Sequence, residues 1–308
     1  MAAILSRIST IVRFDPRLSL LRAGFRLGAL LRPRHTLERA GRLFSTPLAS
    51  SRGRALQAPT GAAVEGELEV AGRRIHTYAW GDPSAQPYVL FAHGWSSHGT
   101  RFLPWVDRLR EAGLAVVAFD QPAHGRSSGR RSNLPEFVRT LEAVAARFGP
   151  AAAAVGHSLG GAAVAVALAH GLPAARAVLI APAADPVAAA QRFARVVGLP
   201  MRSCRRMVAM FESMVGASFD EFQAQNSAPR IGRPALIVHD VGDREVPWDE
   251  GERYARFWPG ARLLSTRGLG HNRIAQDEAV IAAALRFLRG EAVGERVVST
   301  AALPYGIA

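Results

Sequence analysis

Lysine is missing from this 308-residue chain: all 38 basic side chains are arginine. No binding chemistry would strip every lysine from a surface, so the absence points to the coding bias of a GC-rich bacterial genome. Cysteine is nearly missing as well. Cys204 stands alone, which excludes an internal disulfide and a cysteine-built metal site. Nothing demands an oxidising compartment, and neither a metal nor another cofactor is expected. Long apolar runs are absent from the first 45 residues, where Arg7, Arg13, Arg17, Arg22 and Arg26 interrupt Ile4, Ile8, Ile11, Leu18, Leu21, Phe25, Leu30 and Leu31. No stretch reaches the ~18–20 residues that span a bilayer or the ~7–15 of a secretory signal. Acidic residues are scarce there too: residues 1–60 hold 11 Arg against Asp15 and Glu38, so +9 of the net charge of +13 falls in them. The remainder is only mildly basic, and nucleic acid is not an expected partner.

The basic segment has the Arg-rich, acid-poor, Ser-containing composition of a mitochondrial transit peptide, an assignment that the bacterial composition argues against. Two readings stand for residues 1–45: a helix that packs on the main domain, or an interfacial helix on anionic lipid. Packing is preferred, because Leu18, Leu20, Leu21, Leu27 and Leu30 spread around a helical wheel and leave no clean polar face. The expected location is cytoplasmic, with peripheral membrane contact open. Residues 47–59, with Pro47, Ser50, Ser51, Gly53 and Pro59, read as a linker.

Beyond residue 60 the chain alternates. Val64, Leu68, Val70, Ile75, Thr77 and Tyr78 around Ala71-Gly72 predict a strand hairpin. Short apolar runs at 88–92, 115–119, 151–155, 177–180, 235–238 and 261–265 predict strands buried on both faces, as in a parallel sheet covered by helices. Helical stretches separate them at 102–112, 135–148, 159–170 and 248–257, and a last helix is expected over 275–288. This is an α/β pattern of the doubly wound kind, a mostly parallel central sheet flanked by helices. One interruption, residues 185–231, carries no strand signal and reads as helices over 186–197, 201–215 and 219–228, positioned as a cap before the last two strands. The division expected is therefore an arm and linker (1–60), a core (61–184 and 232–290), the cap (185–231) and a tail (291–308).

The chemistry centres on Gly156-His157-Ser158-Leu159-Gly160-Gly161. The G-x-S-x-G spacing places a serine on a tight strand-to-helix turn, its oxygen exposed near the positive end of a helix. Such a serine needs a base, and the base a carboxylate. His271 follows the last strand, Asp240 and Asp243 follow the strand at 235–238, and Asp185 follows the strand at 177–180; all three carboxylates stay open on position alone. His93, His124 and His157 fall in motif loops, where hydrogen bonding is the more usual role, and His98, His170 and His239 are expected to be structural.

With Phe91-Ala92-His93-Gly94-Trp95, Asp120-Gln121-Pro122-Ala123-His124-Gly125-Arg126-Ser127, Gly242-Asp243-Arg244-Glu245-Val246-Pro247 and Gly270-His271 in order, residues 62–290 resemble an α/β-hydrolase with a helical cap. The resemblance implies Ser158 as nucleophile, His271 as general base then acid, and Asp243 rather than Asp240 or Asp185 as the orienting carboxylate. It implies an oxyanion hole from the backbone N–H groups of Trp95 and Leu159. Ala123 departs from the glycine of many relatives. Serine at 158 argues against the dehalogenase and epoxide-hydrolase branches, which use a carboxylate there. The expected reaction is hydrolysis of a small-molecule carboxylic ester or thioester through an acyl-enzyme; the alternatives are acyl transfer to an alcohol, or ligand binding without catalysis. Candidate pocket residues are His93, Gly94, His157, Phe193, Met210 and Phe211, with Val197, Met207 and Met214 adding apolar surface. Arg192, Arg195, Arg202, Arg205 and Arg206 are expected on a solvated face.

Overall fold

A computed structural model describes residues 16–297; the expectations for residues 1–15 and 298–308 lie outside the described residues. Eight strands form one sheet in the order β1-β2-β4-β3-β5-β6-β7-β8. They are β1 (Val64–Val70), β2 (Arg73–Trp80), β3 (Tyr88–Ala92), β4 (Ala115–Phe119), β5 (Ala153–His157), β6 (Ala177–Ile180), β7 (Ala235–Asp240) and β8 (Arg262–Thr266). The β1–β2 and β2–β4 pairs are antiparallel, and every other pair is parallel. The uninterrupted apolar runs have the physical meaning expected: β3, β4, β5 and β6 are buried along their whole lengths. Successive side chains alternate between two cores. Tyr88, Leu90 and Ala92 of β3 join the core on one face of the sheet, while Val89 and Phe91 join the core on the other.

Residues 47–59 correct the linker reading, since Ala49–Gln57 is a helix with Ser51 and Ala55 buried. It is tied down: Leu48 N–H donates to Ser96 Oγ at 3.1 Å, and Arg52 donates to the carbonyl of Gly129 at 3.0 Å. The arm is likewise folded onto the rest. Helices Pro16–Leu31 and Pro33–Ser45 pack against the inserted helices Pro186–Val197 and Met201–Val215, so Phe25 and Ala40 share one small core with Phe193, Ala194, Met207 and Phe211. The cap is therefore built from two segments far apart in sequence. The third expected cap helix is broken into 3-10 turns at Phe219–Phe222 and Ala228–Arg230 around a single helical turn, Ala224–Ser227. Residue 295 bridges Leu263 with two 2.7 Å backbone hydrogen bonds, so the start of the tail closes the β8 edge.

Candidate active site

β5 runs straight into helix Leu159–Ala169, and Ser158 between them adopts φ 55°, ψ −121°. A left-handed φ in a non-glycine residue stores strain and is held only where neighbours force it. The glycines around it are there for close approach. A Cβ at Gly156 would lie 2.5 Å from Gly160 O, and one at Gly160 would lie 2.2 Å from Ala92 O. Helix Leu159–Ala169 begins with N–H groups that have no partner within the helix; those of Gly161 and Ala162 turn back to Ser158 O at 2.9 and 3.2 Å. The Leu159 N–H donates to no acceptor among the described residues.

The loops after β7 and β8 bring the other groups to the same sheet edge, at the C-terminal ends of parallel strands. His271 Nε2 lies 2.9 Å from Ser158 Oγ, and His271 Nδ1 lies 2.7 Å from Asp243 Oδ2. All three residues are buried. Asp243 Oδ1 accepts the N–H groups of Glu245 and Val246 at 2.8 and 3.0 Å, and its Oδ2 also has His239 Nε2 at 3.4 Å. Burial alone would raise the Asp243 carboxyl. Hydrogen bonds from His239 and His271, with the charge of His271 and the Val246 N–H, outweigh it and hold the group well below the ordinary carboxylate range. Asp240 does a different job: Oδ1 accepts Gly242 N–H, while Oδ2 accepts Leu269 N–H and the Thr266 hydroxyl, each at 2.9 Å. It ties the loop that carries His271 to the end of β7. Asp185 caps helix Pro186–Val197 and pairs with Arg253 at 3.3 Å.

The histidines of the motif loops are wall supports. His93 is fully buried, donating from Nδ1 to Gly94 O at 2.7 Å and accepting Gln121 N–H on Nε2 at 2.9 Å. Burial pushes its imidazole down to about 4. His157 donates from Nε2 to the carbonyl of His271 at 2.8 Å, and burial followed by the Arg101 and His271 charges keeps it neutral, well below its ordinary value. Trp95 stacks its ring on Phe137 at 6.0 Å with His124 edge-on at 5.0 Å. Its N–H, like that of Leu159, donates to no acceptor among the described residues. Gly94 is not at a left-handed φ; Ser96 is, at 55°. What Gly94 provides is contact, since a Cβ there would sit 2.9 Å from Ser158 Cβ. Ala123, in place of the expected glycine, occupies φ 68°, a conformation an L-residue adopts at a cost of about 1–2 kcal/mol.

Above Ser158 lies a cavity of about 130 Å³, lined chiefly by apolar side chains, among them Phe44, Trp95, Leu134, Leu159, Phe211 and Val215. Of the six residues read from sequence as pocket, Phe211 lines it. Phe193 is turned into the cap's own core, where its ring meets Phe44 at 5.2 Å, and Met210 lies partly exposed beside Gly41 of the arm. His93, Gly94 and His157 lie behind the Ser158 turn rather than in the cavity wall. Helical periodicity marked the apolar positions but not which of them face inward. Two wall residues outside the sequence-based pocket set stand out, Phe44 and Glu245. Phe44 comes from the arm, and no local signal distinguishes it from a packing residue. Glu245 sits within the Asp243 motif, accepts from Asn272 Nδ2 at 2.8 Å, and has its carboxyl pushed up chiefly by burial. Arg192 also lines the cavity and pairs with Glu250, correcting its placement on a solvated face, while Arg195, Arg202, Arg205 and Arg206 are exposed.

A mostly parallel sheet with a strained serine turn after β5, and a His and an Asp after later strands, is the arrangement of the α/β-hydrolase fold, and the chain has that fold. A family model described as serine aminopeptidase, S33, matches residues 83–227. A monoacylglycerol lipase of Mycolicibacterium smegmatis is 40% identical over 102 residues, a match that spans 30% of this chain and 36% of the lipase. Among solved structures, an esterase of Pyrococcus furiosus superposes with a TM-score of 0.57 at 19% identity, covering 74% of this chain and 91% of the esterase. A bacterial membrane phospholipase A superposes with a TM-score of 0.58 at 19% identity, covering 91% of this chain and 99% of its own. That coverage exceeds what residues 61–308 alone can supply, so the shared fold extends into the arm.

Proposed function

We propose that the chain hydrolyses a carboxylic ester through an acyl-enzyme on Ser158. The observation that carries this reading is His271, which bridges Ser158 Oγ and Asp243 Oδ2 with short contacts on its two ring nitrogens at the floor of an apolar cavity. In the first half-reaction His271 Nε2 takes the Ser158 proton as Oγ bonds to the ester carbonyl carbon. The carbonyl oxygen gains a negative charge, which the N–H groups of Trp95 and Leu159 and the positive end of helix Leu159–Ala169 stabilise. The C–O bond to the alcohol then breaks, and His271 returns the proton to the leaving alkoxide. Water repeats the sequence on the acyl-enzyme and releases the acid. Asp243 holds the Nδ1–H tautomer throughout and stabilises the imidazolium.

The apolar wall suits an acyl chain of small or medium length, and the 40%-identical segment of a monoacylglycerol lipase supports an ester of a small alcohol such as glycerol. A fluorophosphonate probe tests the reading, followed by p-nitrophenyl esters and monoacylglycerols of graded chain length. Labelling of the native chain but not of Ser158→Ala is expected, with turnover of the same esters. A folded sample that neither labels nor turns over any ester contradicts it.

A further inference from the structure

Helix Pro16–Leu31 is apolar around most of its circumference, and among the described residues only one side of it is covered. Phe25 is inserted into the cap core, and Arg22 Nε donates to Val196 O at 3.0 Å. At about 100° per residue, Leu20, Leu27 and Leu31 form a stripe on the opposite side, with Leu30 at its margin. Their exposures are 73%, 58%, 70% and 80%. Arg17 and Arg26 border the stripe on its two edges, and both are exposed. Neighbouring cap helices expose more of the same kinds of side chain: Leu43 at 36%, Met210 at 37% and Met214 at 65%, with Arg202, Arg205 and Arg206.

Charge decides what covers this face. Between residues 16 and 57 there are nine arginines and one acid, Glu38, which itself sits 3.7 Å from Arg42. An acidic peptide would answer the arginines and leave the leucines in water. A second copy of the chain, docked face to face, would oppose arginine to arginine. An anionic bilayer answers both features, since leucines enter the acyl boundary while flanking arginines meet headgroups. We propose that the Leu20, Leu27, Leu30 and Leu31 stripe docks on an anionic lipid surface. The same arm supplies Phe44 and Ser45 to the cavity wall, so docking brings that wall to the surface from which a lipid ester would come; this last link rests on the hydrolase reading above.

The test uses the full chain and its Leu20→Ser/Leu27→Ser double variant, both sedimented with vesicles of mixed phosphatidylglycerol and phosphatidylcholine or of phosphatidylcholine alone. Both side chains are well exposed and outside the catalytic groups, so the variant keeps its fold and its turnover of a soluble ester. Binding of the native chain to the anionic vesicles is expected, about tenfold weaker without phosphatidylglycerol, and about 100-fold weaker for the variant on the same vesicles. A native chain that stays in the supernatant overturns the inference, as does a variant that binds like the native chain. Light scattering adds one more overturning outcome: a native dimer that the variant splits, with no vesicle binding, makes the stripe a subunit interface. Leucine-dependent vesicle binding by a chain that turns over no ester would uphold the docking surface and remove only the hydrolase reading.

Discussion

Substitution of Gly94 by alanine probes whether the loop after β3 works together with Ser158. A Cβ at position 94 would lie 2.9 Å from Ser158 Cβ, 3.0 Å from His157 O and 3.3 Å from His157 Nδ1. Carbon–carbon contacts relax only at about 3.5–4.0 Å, so the loop and the serine turn must separate by about 0.6–1 Å. Neither side yields easily. The serine side is backbone already held at φ 55°, and the loop side is pinned by His93 between Gly94 O and Gln121 N–H. The displacement therefore falls on the Trp95 N–H relative to Ser158 Oγ. A misplacement of about 1 Å costs on the order of 100-fold in rate, and losing an oxyanion donor outright costs about 100- to 1,000-fold. Gly94→Ala should thus lower kcat on a p-nitrophenyl ester by about 100-fold, with a smaller change in KM because the acyl wall is untouched. Overpacking of this size destabilises by about 1–3 kcal/mol, which thermal unfolding would register. Gly53→Ala is the control, since nothing lies within 4 Å of a Cβ there; it should keep full activity. A folded Gly94→Ala enzyme with native kcat refutes the assignment of Trp95 to the oxyanion hole.

Two further outcomes separate the roles of neighbouring groups. Asp243→Asn offers His271 Nδ1–H an amide that can present its own donors, and kcat should fall by about 10,000-fold. Asp240→Asn loosens the loop tied by Leu269 N–H and Thr266 and should lower the melting temperature while costing far less in kcat; equal losses in the two variants would mean that Asp240 shares the orienting role. The buried histidines predict an acid limb. His93 is held neutral at about 4 in the fold and titrates near 6.5 when unfolded, so the unfolded chain binds the extra proton. Stability is then complete above about pH 6.5 and is lost as pH falls toward about 4, amounting to about 2 kcal/mol at pH 5 for this one group. Unfolding of the native chain and of His93→Gln, followed from pH 7 to about pH 5, should show the native chain losing the difference; parallel profiles would contradict it.

The parts of this molecule that could be read from sequence are those where a residue type has one physical use. Val89-Leu90-Phe91 can only be a strand covered on both faces, and Gly156 and Gly160 flank Ser158 because any Cβ there collides with backbone. Strand position alone left Asp240, Asp243 and Asp185 open as partners of His271, and only the resemblance favoured Asp243. Apolar helices are another matter. Periodicity says that Phe193, Met210 and Phe211 share one helical pattern with packing residues, but the partner that covers each face lies elsewhere in the chain. Phe193 is claimed by Phe44, Met210 reaches Gly41 of the arm, and only Phe211 is left for the cavity. The misread linker has the same cause: Ser50, Ser51 and Gly53 look like loop residues, yet Leu48, Arg52 and Ala55 find partners on the core that sequence cannot reveal. The arm accordingly becomes part of the enclosure. The Phe44 ring stands between Phe193 and Phe211, with centroids 5.2 and 5.7 Å away, and the Ser45 carbonyl accepts Ser132 N–H at 2.9 Å across the cavity rim. The wall over Ser158 thus depends on residues more than 100 positions upstream of it, and whatever holds the arm in place also sets the shape of that cavity.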